Sequence, residues 1–193
     1  MKGEKEAKIL KAAEKVFLKK GFFPAHIDDI AQEAGIAKGT VYLYFRDKAS
    51  IYIALLDKYL SEAIALLEEI RKEKSNVIKK LERILEQGTI LFSHMKGMFP
   101  LVSIENINLT AEIMKDIKVK IQPKMRRIID SLAEIIREGV KNQELKKMDA
   151  KLGALVLFNM IRVSFWASVY IPKLKEQHKK IKEIFFYGIR PNQ

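Results

Sequence analysis

The chain has no cysteine. That excludes disulfides, thiolate metal sites and thiol nucleophiles, and it fits a reducing, cytoplasmic setting. Histidine is scarce. His26, His94 and His178 are the only three, and no pair has the spacing of metal ligands, so no metal site is expected. No phosphate-cradling GxxxxGK[ST], no GxGxxG and no GxSxG occurs anywhere. With no catalytic constellation, the chain is not expected to be an enzyme or to need a cofactor. Period-two alternation is also missing, and with it any case for a sheet. Met1 to Lys20 is charged every few residues and contains no apolar core, so no secretory signal is expected. A single long apolar run exists, Leu152 to Ile171. Arg162 near its centre, with Asn159 beside it, would cost roughly 2.5–3.5 kcal/mol in a bilayer. A helix buried in a bundle or a subunit interface is the expectation there, not a membrane span.

What is present is 193 residues, 48% hydrophobic and 31% charged, with a net charge of +12. A core can form, and an anionic partner, nucleic acid above all, is favoured. The excess is diffuse: residues 1–50 carry +3 and the remaining 143 carry +9. Charge alone therefore locates no DNA face.

Helical spacing runs throughout. Ile9, Ala12, Ala13, Val16 and Phe17 form one apolar stripe, closed by Lys19, Lys20 and Gly21. Phe22, Phe23 and Pro24 read as an extended apolar connection. A short helix follows, with Ile27, Ile30, Ala31 and Ala34 on one face, Asp28 and Asp29 in its first turn and Gly35 as its stop. A third helix spans about Lys38 to Phe45, with Val41 and Phe45 inward. Asp47 caps a long fourth helix carrying Ile51, Leu55, Leu56, Leu60, Ile64 and Leu67. Further helices are expected over about 77–95, in short pieces over 101–118, over 122–141, 149–170 and 173–187, about nine in all. The fold class is all-α.

The segment Ile27 to Lys48, IDDIAQEAGIAKGTVYLYFRDK, carries the function. Two short helices meet at a tight turn, Gly35-Ile36-Ala37. The second presents Lys38, Thr40, Tyr42, Leu43 and Tyr44: a cation, a hydroxyl, two phenols and an isobutyl group. That mixture suits a helix lying in a major groove. Here the sequence resembles the tetracycline-repressor-like (TetR) family of bacterial regulators. D-I-A-x-x-A-G at Asp29 to Gly35 and K-G-T-V-Y-x-Y-F at Lys38 to Phe45 carry the resemblance, with the x-D-K step ending at Lys48.

The resemblance implies a three-helix helix-turn-helix domain, 1–48, and a helical ligand-binding and dimerisation domain, 49–193. It implies a repressor that binds a palindromic operator as a dimer and is released by a small, largely apolar ligand. It places Lys38, Thr40, Tyr42 and Tyr44 on the recognition helix and lets DNA approach the backbone at Gly39. It brings Lys48 to a phosphate, and Leu43 either to a thymine methyl or simply into the groove as a filler. His26 stands where the family has a threonine or serine, Ala37 replaces a frequent serine, and Ser50 replaces an acid. Each loss should weaken a cap by about 1 kcal/mol or less. The last two helices would pair with their copies.

In the larger domain Phe92, Met95, Phe99, Met125, Phe158, Asn159, Arg162 and Trp166 are candidate ligand-lining residues, Met and aromatic linings being adaptable. A buried Arg162 needs a partner: Glu105, Glu112 or an anionic ligand. The competing reading is a helical protein that sequesters a small hydrophobic or amphipathic ligand without regulating DNA.

Overall fold

The computed structural model describes residues 2–94 and 111–170, together with Ile181, Glu183, Ile184 and Phe186. Eight α-helices lie among the described residues: α1 Lys2–Lys20, α2 Ile27–Ala34, α3 Lys38–Tyr42, α4 Lys48–Arg71, α5 Val77–Ser93, α6 Ala111–Asp116, α7 Gln122–Lys141 and α8 Ala150–Tyr170. A π-helical turn, Ile117–Ile121, joins α6 to α7. The described residues contain no strand, and the protein is all-helical as expected. The final helix expected over 173–187 lies largely outside the described residues. None of the described helices is long and apolar enough to cross a membrane.

The chain divides by its contacts into two compact units, Met1–Tyr59 with His94–Pro123 and Leu60–Ser93 with Lys124–Gln193. In the first unit, Ile9, Ala13, Phe17, Ile30, Val41 and Ile51 are fully buried. They come from four helices, each contributing its apolar stripe to one small core. The connection after α1 is a turn over residues 22–24, not an extended stretch. Gly21 sits at φ +82° and donates its N–H to Phe17 O at 2.8 Å. The chain reverses there, and the Phe22 ring, 5.4 Å from those of Phe17 and Tyr52, enters the core. Burial wins over extension because a phenyl side chain gains roughly 1.5–3 kcal/mol on leaving water.

In the second unit Leu81, Leu132, Ile135, Ile136 and Leu157 are buried. Two glycines let the helices approach closely. A Cβ on Gly88 would stand 2.9 Å from Ile161 of α8, and one on Gly139 would stand 2.7 Å from Leu145 and 2.8 Å from Val77. Lys80 is the buried charge among the described residues, 4% exposed, with Nζ 3.1 Å from Glu138. It falls at i+3 from Val77 and i−4 from Ile84, on the apolar face of α5, so it goes inward with its neighbours and must be paired there. α5 opens with Asn76 Oδ1 accepting the Lys79 N–H and Glu144 accepting the Val77 N–H at 2.7 Å.

Candidate nucleic-acid interface

The site is built from α2, the following turn and α3. Gly35 ends α2 in the left-handed conformation, φ +60°, and Ile36 donates to Ala31 O at 3.0 Å. Ala37 is extended and its carbonyl accepts the Thr40 N–H at 2.8 Å, which starts α3. No side-chain hydroxyl caps this start, in keeping with alanine at 37. At the other end of α2 the cap comes from Asp29, whose carboxylate accepts the His26 N–H at 2.9 Å. Lys20 lies 2.6 Å from Asp29, and that hydrogen bond, with the His26 N–H, holds the carboxyl below its ordinary range.

Assigned helix ends at Tyr42, three residues earlier than the spacing suggests. Helical bonding nevertheless reaches Phe45, whose N–H donates to Val41 O at 2.9 Å, while Tyr44 bonds Val41 O at 3.0 Å with the tighter i→i+3 step. Val41 and Phe45 point inward. Leu43 is 80% and Tyr42 48% exposed, Lys38 and Gly39 are exposed, and Thr40 and Tyr44 are half-buried. An isobutyl group four-fifths in water is costly unless something covers it, and a neighbouring phenol and ammonium make the patch suited to an anionic, grooved surface. The Lys38 ammonium is 2.9 Å from Asp28, and the hydrogen bond raises its pKa.

Two cap expectations change. The sequence expects Ser50 to leave α4 short of a cap partner. Instead its Oγ accepts the Asp47 N–H at 3.2 Å while Asp47 Oδ1 accepts the Ser50 N–H at 2.6 Å. A hydroxyl closes the reciprocal box as a carboxylate would. Lys48 differs more. Its ammonium donates to the carbonyls of Phe22, Phe23 and Ala25 at 2.7, 2.8 and 2.7 Å and lies 4.5 Å over the Phe22 ring. Burial pulls its pKa down, while three acceptors and the ring face keep the proton on. An ammonium has three donors, and all three are engaged. The side chain clamps the α1–α2 turn and is not presented to a phosphate; only the backbone N–H groups opening α4 remain for that.

One cation escaped the sequence reading. Arg46, exposed in the turn after α3, lies 3.4 Å from Asp47 and 3.6 Å from Asp116 and is hydrogen-bonded to Glu112. A basic residue directly following the recognition segment was the available signal. The acids of α6 have no sequence cue.

Of the ligand-lining candidates, Met95, Phe99 and the side chain of Trp166 lie outside the described residues, as does Glu105. Phe92 of α5, Met125 of α7 and Phe158 and Arg162 of α8 are half-buried in the second unit. Asn159 is a correction: it is exposed, in line with Leu152, Leu155, Val156 and Val163 on the outward face of α8. Its amide donates to Leu155 O at 2.9 Å and its Oδ1 accepts from Arg162 at 3.3 Å. Glu112 is hydrogen-bonded to Arg46, while Glu105 lies outside the described residues; among the described residues Arg162 donates to Asn159.

A buried scaffold holding out a short helix of mixed polar and apolar groups, joined by a tight turn to a second helix, is a helix-turn-helix DNA-binding module. Residues 9–55 match the model of the bacterial regulatory proteins of the tetR family. The fatty acid metabolism regulator protein of Bacillus subtilis is 29% identical over 161 residues, covering 83% of this chain and 81% of that one. The HTH-type regulator YhgD of the same organism is 27% identical over 92% of both chains. The solved structure of FadR from Bacillus subtilis in complex with stearoyl-CoA superposes with a TM-score of 0.75 at 24% identity, over 95% of this chain and 99% of that one. Residues 9–55 are a DNA-binding domain of the tetR type, and the chain is a DNA-binding transcriptional regulator similar over most of its length to regulators of that kind.

Proposed function

We propose that the chain is a cytoplasmic repressor that binds a palindromic operator as a dimer and is released by a long-chain acyl-CoA. The observation that carries the DNA half is the α3 segment: Leu43 and Tyr42 stand outward. Gly39 supports it. A Cβ there would meet nothing within 4 Å, so no packing inside the chain calls for glycine, although glycine weakens a helix by about 1 kcal/mol against alanine. A duplex pressed against that backbone supplies the reason. In this reading Thr40, Leu43 and Lys38 read bases. Tyr42 and Tyr44 position the helix, His26 contacts the backbone at the start of α2, and Lys48 contributes its N–H. The DNA-binding part ends near residue 48.

The dimer rests on α8. Leu152, Leu155, Val156 and Val163 make an exposed apolar row on that helix, and a second copy, completed by the last helix, is its natural cover. Two recognition helices would then enter successive major grooves about 34–36 Å apart. The ligand class comes from the relatives: a fatty acid metabolism regulator and a FadR structure holding stearoyl-CoA. The half-buried Phe92, Met125 and Phe158 suit an acyl chain, and the basic balance of +12 suits the phosphates of coenzyme A.

The test starts with selection of a binding site from a random-sequence duplex pool. Gly39→Ala should then weaken binding at that site at least tenfold while unfolding no earlier than wild type. Stearoyl-CoA should release the DNA, and stearate alone should do so less well. Failure of selection to enrich any sequence favours the sequestering reading. Release by neither compound removes acyl-CoA as the ligand and leaves DNA binding intact.

A further inference from the structure

Arg46 follows the recognition segment directly. It lies in the bend immediately after the helical bonding that ends at Phe45, exposed and three residues along the chain from the outward Leu43. A guanidinium placed there is within reach of the sugar-phosphate strand flanking the groove that α3 enters. Yet it is held by acids. Asp47 is 3.4 Å away, Asp116 3.6 Å, and Glu112 hydrogen-bonds to it. Asp116 in turn draws Lys120 to 3.4 Å. Three carboxylates against two cations leave this corner net negative, beside the surface that must meet DNA.

We propose that Arg46 is a further phosphate-binding residue and that Glu112 and Asp116 of α6 compete with DNA for it. The proposal rests on the DNA-binding reading above. The side chains of Arg46 and Glu112 are 40% and 71% exposed, so the ion pair is solvated and weak enough to exchange. A phosphate takes a guanidinium through two parallel hydrogen bonds, and the five donors cannot serve both partners in one geometry. Sequestered, Arg46 adds nothing to affinity. Released, it adds one phosphate contact. α6 therefore sets DNA affinity through a single side chain. α6 is followed by the π-helical turn Ile117–Ile121, a kind of irregularity at which helices change register and which often marks functional sites.

The experiment measures the affinity of the full-length chain for its selected duplex over a range of KCl concentrations. The variants are Glu112→Gln with Asp116→Asn, Arg46→Gln, and all three together. Releasing Arg46 in both copies of the proposed dimer should raise affinity about five- to tenfold at ~0.1 M salt and steepen the log–log salt slope by about 1.8, about 0.9 for each of the two phosphates. Adding Arg46→Gln to the two neutralised acids should abolish that gain. An equal gain with and without Arg46 would mean general charge repulsion and would overturn the proposal. So would a loss of affinity on neutralising the acids, since the pair would then be positioning the turn. Thermal unfolding of each variant separates these outcomes from misfolding, and Glu112→Gln alone serves if the double variant unfolds. Wild type binding no duplex at all would overturn the DNA-binding reading itself.

Discussion

Tyr42 and Phe45 are three residues apart and have opposite tasks. Tyr42 is half in water and Phe45 is 6% exposed. Tyr42→Ala should weaken DNA binding with the unfolding midpoint unchanged. Phe45→Ala should cost roughly 3–5 kcal/mol in chemical denaturation, the price of a cavity under α3. Both facings were readable from the i, i+4 spacing of Val41 and Phe45. The role of Lys48 was not, because its three acceptors are backbone carbonyls of a turn more than twenty residues earlier, and carbonyls have no residue signature. Tyr52 offers a second test. Burial raises its pKa from 10.0 to about 12. The folded state then keeps its proton where the unfolded chain has lost it. Stability from this group is complete below pH ~10 and is lost as pH rises towards about 12, by up to about 3 kcal/mol. Phenolate absorbance should show one late-titrating tyrosine that disappears in Tyr52→Phe.

Among the elements, α7 matches its sequence span at both ends and α8 begins one residue later than its spacing suggests, because each carries an uninterrupted apolar stripe and a cap. Asp149 accepts the Leu152 N–H at 2.8 Å and starts α8. α3 was harder. Five residues leave little periodicity, and its last turn mixes i→i+3 with i→i+4 bonds. The junction of α5 and α7 depends on Gly139, which no pattern marks. Gly139→Ala would gain about 1 kcal/mol of helix propensity. Its Cβ, however, would press on Leu145 and Val77 at 2.7 and 2.8 Å, and overpacking costs about 1–3 kcal/mol. Denaturant titration should show net destabilisation. A more stable variant would mean that Leu145 and Val77 move aside freely.

At the scale of the molecule, α8 is the element on which the proposed dimer rests. Its inner residues Ala154, Leu157 and Ile161 are buried, while Leu155 and Val163 on the outer face are about half exposed. The apolar run that could be mistaken for a membrane span is therefore two-sided: one side is packed inside the chain, the other is open to a partner. If α8 forms the proposed dimer, Leu155→Glu with Val163→Glu should leave helix content intact, yield a monomer in sedimentation where wild type is a dimer, and weaken operator binding, because two half-sites would no longer be engaged together. A wild-type chain that sediments as a monomer at micromolar concentration would sink the dimer.

Local patterns by themselves determined the all-helical class, the course of α1, α2 and α7, the turn at Gly35 and the exposure of Lys38, Gly39, Tyr42 and Leu43. Each follows from spacing, caps or a short motif, signals that need only a few neighbouring residues. Only the tertiary structure decided that Lys48 closes a turn, that Ser50 completes a cap and that Asn159 faces outward. The same holds for Lys80, rather than Arg162, being the buried charge among the described residues, and for Arg46 being held by α6. Those outcomes depend on which groups remote in the chain are brought within hydrogen-bonding distance, and a charged side chain goes where its partner is, whatever its own helix suggests.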